Sequence, residues 1–162
     1  MKTQRGAVLI VSLVFLMLLT LLATSSMQNA TLQEKAAGGL ARRDASFQLA
    51  ETVLRSAETA VLMPGFSHSR CSTPVKCLPP PEALNLTAAG RGWASGVTWQ
   101  ASSGGFFGIQ YLGETEDPAA VPEQPQPQKL YRVTAIGVQG TSRTVLESIH
   151  TGQRRIMWRQ RQ

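Results

Sequence analysis

The sequence predicts an α+β fold, in which one long N-terminal helix, able to cross a membrane in its first half, packs on a small antiparallel β-sheet head. Three observations carry this prediction. Residues 7–23 are almost entirely apolar, the helical pattern continues to residue 62 without a proline, and four β-like runs follow in the remainder of the chain. At 162 residues, the chain has room for one small domain besides such a helix.

The N-terminal segment has the charge and hydropathy pattern of a membrane span. Residues 1–6 carry two basic side chains and no acidic one. Residues 7–23 have only one serine and one threonine as polar interruptions, and no charged residue occurs between Arg5 and Glu34. Since a helix needs about 20 mostly apolar residues to cross a bilayer core, the span is predicted over residues 7–28. Basic residues stay on the cytoplasmic side, so the chain beyond the span is predicted to face outward.

Three interpretations of this segment compete. A secretory signal peptide would be removed near Thr24, but the apolar run is longer than the roughly 7–15 residues of a typical signal core. An ordinary single-span anchor would keep residues 1–6. The third interpretation is a short leader, residues 1–6, removed from a helix that continues beyond the membrane, and the residues after the span favour it.

Residues 29–62 are predicted to continue the same helix as an amphipathic segment. Pro64 and Gly65 end it, and Gly38-Gly39 marks a point where it can bend. Apolar residues recur at spacings of three, four and seven, as one stripe of a helix requires. The predicted stripe is Ala36, Leu40, Phe47, Ala50, Leu54, Ala57 and Val61, and the predicted polar face is Glu34, Lys35, Arg42, Arg43, Asp44, Glu51, Arg55 and Glu58.

Residues 63–162 are predicted to form the head, with four strands. Their β-like runs are Trp93–Ala101, Phe106–Leu112, Leu130–Val138 and Arg143–His150. Residues 138–142 have the composition of a hairpin turn, and residues 114–129, with four prolines, are predicted as an exposed loop outside the ladder. The aromatic residues Trp93, Trp99, Phe106 and Phe107 are predicted to lie in the sheet core rather than to form a base-stacking platform.

The two cysteines lie in a loop-like segment of the head. Cys71 and Cys77 are predicted to form one small disulfide if this part of the chain is exported. The alternative is a zinc site that adds His68 and the distant His150 to the two cysteines, but this spacing matches no recognised ligand pattern.

No catalytic or cofactor-binding motif is recognisable. The two histidines are isolated, and the glycine-rich residues 104–108 lack the lysine of a phosphate loop, so neither an enzyme activity nor a cofactor is predicted. The net charge is +6 and is partly concentrated at the C-terminus. That segment is predicted to be a solvated basic tail; contact with acidic groups of a neighbouring subunit and with a DNA backbone are the alternatives. The tail residues concerned are Arg154, Arg155, Arg159 and Arg161.

The N-terminal features together resemble those of type IV pilins and pseudopilins. The stretch RGAVLIVSLVFLMLLTLLATSSMQNATLQEK, followed by RRDASFQLAETVLRSAE, is similar to the N-terminal region of the PilX family of minor pilins. The resemblance covers residues 4–60. It implies that prepilin peptidase cuts the chain after Gly6 and that the new amine of Ala7 is N-methylated.

The sequence departs from the pilin pattern near the start of the mature chain. Ala7 stands where most pilins have Phe, and Val11 stands at the fifth mature position, where most pilins have Glu. That glutamate neutralises the N-terminal amine of a neighbouring subunit inside the filament. A subunit with no neighbour to neutralise is better served by an apolar residue, because a buried, unpaired carboxylate is costly. Val11 therefore predicts a minor subunit at the tip.

The resemblance implies a minor pilin that helps to prime, initiate or cap type IV pilus assembly, supporting twitching motility and adhesion. Its implied partners are prepilin peptidase, other minor pilins, the major pilin and the inner-membrane assembly platform. The implied location is the inner membrane, single-pass with a periplasmic head, and then the cell-surface pilus. Two alternatives are a minor pseudopilin of a type II secretion system and a membrane-anchored DNA-binding module that never polymerises.

Overall fold

The computed structural model describes residues 5–115, 127–151 and 154–161. Helix α1 (Arg5–Leu62) is followed by two short 3₁₀ turns (Val75–Cys77 and Pro81–Leu84). Six strands follow within the described residues: β1 (Gly90–Arg91), β2 (Thr98–Ser102), β3 (Gly105–Thr115), β4 (Gln128–Gln139), β5 (Ser142–Thr151) and β6 (Arg155–Arg161). The chain divides after Ala41 into two units, the first consisting of α1 up to that residue. The predicted α+β fold is confirmed.

Helix α1 ends where the sequence predicted. Its last residue is Leu62, Pro64 follows, and Gly65 takes a φ of 82°, a conformation that favours glycine and turns the chain out of the helix. Helical structure continues through Gly38-Gly39.

The six strands form one antiparallel sheet in sequence order, each paired with the next. A two-residue turn is enough to join adjacent antiparallel strands. Such a turn joins β4 and β5, and Gly140 in this turn has a φ of 59°. This confirms the predicted hairpin. The second, third and fourth predicted strands are also confirmed, although β3 and β4 are longer than predicted.

Three details of the predicted sheet were wrong. The first predicted strand begins at Thr98, because the preceding residues form a turn closed by the Gly92 N–H, which donates to Val97 O at 2.7 Å. The ends of the predicted proline-rich loop are strand, since Glu114 pairs with Lys129, and residues 116–126 lie outside the described residues. Finally, β1 and β6 were not predicted as strands.

The main core lies between the second half of α1 and one face of the sheet. The helix contributes the predicted Ala50, Leu54, Ala57 and Val61 together with Val53, which the predicted stripe omitted. The sheet contributes Ile109, Tyr131, Val133, Ala135 and Leu146. Phe47 is half-buried, whereas Ala36 and Leu40, in the first unit, are exposed. Only the part of the stripe within the second unit is therefore core.

The opposite face of the sheet carries a smaller core. Trp99 is 2% exposed and packs there with Val97, Ile136 and Val145, under the 3₁₀ turn that holds Ala83. The alternation of Ala135 and Ile136 between the two clusters follows from the pleat of β4. Trp93 does not join this core: it is 85% exposed in the turn before β2, so the prediction for that residue was wrong.

The helix can approach β4 closely because residue 137 is glycine. A Cβ built on Gly137 would lie 2.2 Å from Ser46 O and 2.3 Å from Ala50 N, both of them backbone atoms of α1. Nearby, the hydroxyls of Ser46 and Thr144 are hydrogen-bonded at 2.8 Å, which satisfies two buried polar groups at the same contact.

We expect Gly137→Ala to destabilise the head by about 1–3 kcal/mol or more, the usual range for overpacking, because a backbone cannot move aside as a flexible side chain can. The measurement is urea unfolding of the full chain in nonionic micelles, followed by tryptophan fluorescence. Gly39→Ala is the matched control, since its Cβ would meet nothing within 4 Å. Equal stability of Gly137→Ala and wild type would contradict the close contact.

Candidate functional site

The first half of α1 presents apolar side chains to its surroundings on every face. The large apolar residues from Val8 to Leu22 are 50–72% exposed, and the most apolar 18-residue window has a mean hydropathy of 2.6. By length and composition this helix can cross a membrane. An apolar surface of this extent is unfavourable in water and has to be covered by lipid or by other protein.

The hydroxyl side chains of residues 8–24 are satisfied within the helix. The hydroxyl of Ser12 donates to Leu9 O at 2.9 Å, that of Thr20 to Met17 O at 2.8 Å, and that of Thr24 to Leu21 O at 3.0 Å. Such bonds to the preceding turn reduce the need of these hydroxyls for water. Residues 8–24 can therefore enter an apolar environment without leaving a side-chain hydroxyl unpaired.

The predicted processing junction lies where the described residues begin. The backbones of Gly6 and Ala7 are helical. A protease must therefore extend the backbone here before it cuts the predicted Gly6–Ala7 bond.

Val11 lies four residues after Ala7 and therefore on the same face of α1. Its side chain is 68% exposed. A residue at this position is close to the amine that cleavage after Gly6 would create, so its charge, or lack of charge, directly affects that amine.

Cys71 and Cys77 form a disulfide with a Cα–Cα distance of 5.3 Å, which confirms the pairing. The zinc alternative is wrong, since both thiols are consumed and His150 lies in the sheet, 3% exposed. In the part of the chain that the structure describes, no group of three or more metal-binding side chains occurs.

The disulfide loop is attached to the sheet by hydrogen bonds. The Cys71 N–H donates to Tyr111 O at 3.0 Å, and Gln110 Nε2 donates to Lys76 O at 2.7 Å. Arg132 Nη1 donates to Cys77 O at 2.6 Å. Burial lowers the pKa of the Arg132 guanidinium, and the bonds to this loop partly replace the water it has lost. The loop is thus a fixed part of the head.

The C-terminal basic segment is strand β6 and not the solvated tail that the sequence predicted. Its arginines bind carboxylates of the head: Arg159 Nη2 lies 2.6 Å from Glu147 Oε2, and Arg161 Nη1 lies 3.2 Å from Glu147 Oε1. Arg155 Nη1 lies 3.4 Å from Glu58 Oε1. Arg154 precedes the strand, and its carbonyl accepts a bond from the Thr151 N–H at 2.9 Å.

Glu58 and Glu147 explain why the segment is ordered. Glu147 is completely buried, and Glu58, which the sequence placed on the polar face of α1, is 9% exposed and lies 3.2 Å from His150 Nε2. A buried carboxylate needs a cationic partner, and β6 supplies two arginines to Glu147 and one to Glu58. Sequence analysis missed two signals. One is the alternation of Arg155, Met157 and Arg159 with Ile156 and Trp158. The other is the pairing of an arginine in β6 with a glutamate in β5.

Comparison with protein families gives a match to the N-terminal region. Residues 5–55 match the family described as PilX N-terminal. Comparison with curated proteins gave no match, and comparison with solved structures also gave none.

A long apolar N-terminal helix followed by an antiparallel sheet defines a pilin-like protein. Within that class, residues 5–55 are similar to the N-terminal region of the PilX family of type IV pilins. This is a family of structural pilus components and not of enzymes. The same evidence indicates a membrane-anchored, pilus-associated protein.

We expect Glu147→Gln to destabilise the head by roughly 1–3 kcal/mol, because two arginines lose the carboxylate that neutralises them. The loss should stay below that of a fully buried pair, since the Arg159 side chain is 47% exposed and can reach water. Urea unfolding measures the stability, and hydrogen exchange of the amides of residues 155–161 should accelerate.

The matched control is Glu51→Gln, which removes the exposed pair with Arg55. Pairs of this kind contribute about 0.3–0.5 kcal/mol. If both variants lost the same stability, or if exchange in β6 were unchanged in Glu147→Gln, the proposed attachment of β6 would be wrong.

Proposed function

We propose that this chain is a minor pilin that helps to prime, initiate or cap type IV pilus assembly, and thereby supports twitching motility and adhesion. Residues 1–6 are its cytoplasmic leader, and residues 7–28 cross the inner membrane before they enter the filament core. Residues 29–62 extend the helix, and residues 63–162 form the periplasmic head. After assembly the head is carried on the cell-surface pilus.

The fully exposed apolar half of α1 supports an assembly role. This surface has to be surrounded by apolar groups both before and after assembly. Before assembly it contacts lipid, and after assembly it contacts the corresponding helices of other pilins. Lipid and pilin helices both present apolar groups and require no polar partner. The proposed partners are therefore the inner membrane, prepilin peptidase, the assembly platform, other minor pilins and the major pilin.

Val11 is the single observation that carries the assignment to a starting or capping position. Its apolar, exposed side chain occupies the place where a filament-body pilin needs a carboxylate. A subunit that begins or caps the filament lacks the neighbouring amine that such a carboxylate would neutralise. An apolar residue suits that place, because an unpaired charge in an apolar environment is strongly unfavourable.

The arginine contacts of β6 argue against the DNA-binding alternative. Binding to a nucleic acid backbone depends on cations that are free to neutralise phosphates. Arg155, Arg159 and Arg161 already contact carboxylates within the head. A type II secretion pseudopilin shares the leader and the helix, and the PilX N-terminal match favours the pilus over it.

We expect the mature protein to begin at an N-methylated Ala7. The reason is the sequence Arg5-Gly6-Ala7 directly before the apolar run. Mass spectrometry of the protein from the native host measures the terminus. An intact Met1 would indicate an ordinary membrane anchor, and a terminus near Thr24 would indicate a signal peptide. Either result would contradict the pilin assignment.

A deletion strain tests the role itself, and Val11→Glu tests the position. We expect deletion to reduce the number of surface pili sharply, with recovery on complementation. Val11→Glu should bring no gain of this subunit in sheared pili and should restore fewer pili than wild type. A charged side chain within a membrane span is unfavourable by roughly 2.5–3.5 kcal/mol at the centre and by less near the end.

Val11→Gln is the matched control, because glutamine has the shape of glutamate without its charge. It should restore pili better than Val11→Glu does. Far more Val11→Glu protein in sheared pili, at normal pilus number, would show that the position tolerates a carboxylate, and the tip assignment would be withdrawn.

A further inference from the structure

A cavity of about 220 Å³ lies beside the disulfide of the head. Its walls come from three segments: residues 68–76, the turn at residues 91–97, and residues 109–111 of β3. This is smaller than the roughly 300–1,000 Å³ of pockets that hold drug-sized ligands. It has room for one small group and not for an extended polymer.

Three permanent cations line this cavity: Arg70, Lys76 and Arg91. Among the described residues that line it, none is acidic. The side chains of these three cations form no ion pair with a described residue, in contrast to Arg159 and Arg161 of β6, which share the buried Glu147. The cavity therefore carries three cationic side chains that are not ion-paired within the described part of the head.

The backbone holds two of the cations in place. Arg70 forms a β-bridge with Tyr111, and the adjacent Cys71 N–H donates to Tyr111 O at 3.0 Å. The carbonyl of Lys76 accepts a bond of 2.7 Å from Gln110 Nε2. The disulfide closes the segment between them. The backbones of Arg70 and Lys76 are thus attached to the same strand, so that only their exposed side chains have to be ordered when a ligand binds.

The opposite wall is equally fixed. The Ser95 N–H donates to Glu82 Oε1 at 3.4 Å, and its hydroxyl donates to the same oxygen. Glu82 is 2% exposed, so its carboxylate anchors the turn from the inside. Trp93 lies in this turn and is 85% exposed, the most exposed of the large apolar side chains in the described chain.

We propose that this cavity binds the carboxylate of an acidic sugar. Arg70, Lys76 and Arg91 all line the cavity and favour one compact oxyanion, and the apolar Val97 and Ile109 at the wall contact the carbon face of a ring. A nucleic acid would instead require cations spread along a track, with one contact for each phosphate. The proposal goes beyond the assembly role and does not depend on it.

The test uses the full chain, labelled with ¹⁵N, in nonionic micelles. Glucuronic acid is the probe, glucose is its neutral counterpart, and inorganic phosphate is an oxyanion without a ring. Saturable amide shifts in residues 68–76 and 91–97 are expected with glucuronic acid, none with glucose, and at least tenfold weaker binding with phosphate.

The double variant Arg70→Gln, Lys76→Gln should weaken glucuronic acid binding at least tenfold. The matched control is Arg55→Gln, Lys129→Gln, which removes the same charge outside the cavity and should bind as wild type does. Cys71→Ser, Cys77→Ser should also bind more weakly, because Lys76 is no longer held; its amide spectrum outside residues 68–78 reports whether the head is folded.

Several results would overturn the proposal. Equal shifts with glucose would show that the charge is irrelevant, and equal affinity for phosphate would show that the ring contributes nothing. If the control variant Arg55→Gln, Lys129→Gln weakened glucuronic acid binding equally, the loss of affinity would be due to net charge and not to the cavity. Tighter binding of a single-stranded oligonucleotide, with an affinity that falls over several powers of salt concentration, would assign the cavity to nucleic acid.

Discussion

The contact of α1 with β4 at Gly137 is the constraint on which the head depends. The absence of a side chain at that position allows the helix backbone at Ser46 and Ala50 to lie directly against the strand. Larger residues further along the helix, such as Leu54, then fill the space over the sheet. Because the helix is stiff, this close contact also fixes the position of Glu58 beside His150. It thereby fixes the carboxylate that Arg155 of β6 contacts.

Much of this arrangement could be predicted, because it follows from local patterns. The end of α1 follows from Pro64 and Gly65, and the β4–β5 hairpin from its alternation and turn residues. The remainder depends on partners distant in sequence. The basic segment is held as a strand because its arginines pair with the buried Glu147. The sequence of residues 154–161 alone does not indicate that this carboxylate is their partner. Trp93 has the composition of a strand residue, but the turn that closes at Val97 leaves it exposed. The disulfide was predictable from composition, whereas the cavity beside it was not.

The two halves of α1 show how one helix can serve two environments. In the second unit, residues at helical spacing are buried and most exposed positions are polar or charged, so the segment is suited to water on one side only. In the first unit the apolar residues are exposed in all directions, and even the hydroxyls bond to their own helix. The first half therefore accepts any apolar neighbour, which suits a subunit that must leave lipid and join a polymer. The second half packs on the sheet of its own chain.

The order of strands in the sheet has a consequence for solubility. Strands β1 and β6 lie at its two edges, and an open edge is a template on which further strands can add without limit. One edge here is only two residues long, and the other carries three arginines within seven residues. A short edge strand and charged side chains on an edge strand both discourage edge-to-edge stacking. For the proposed pilin, filaments form through the helix, and the sheet edges are protected against disordered aggregation.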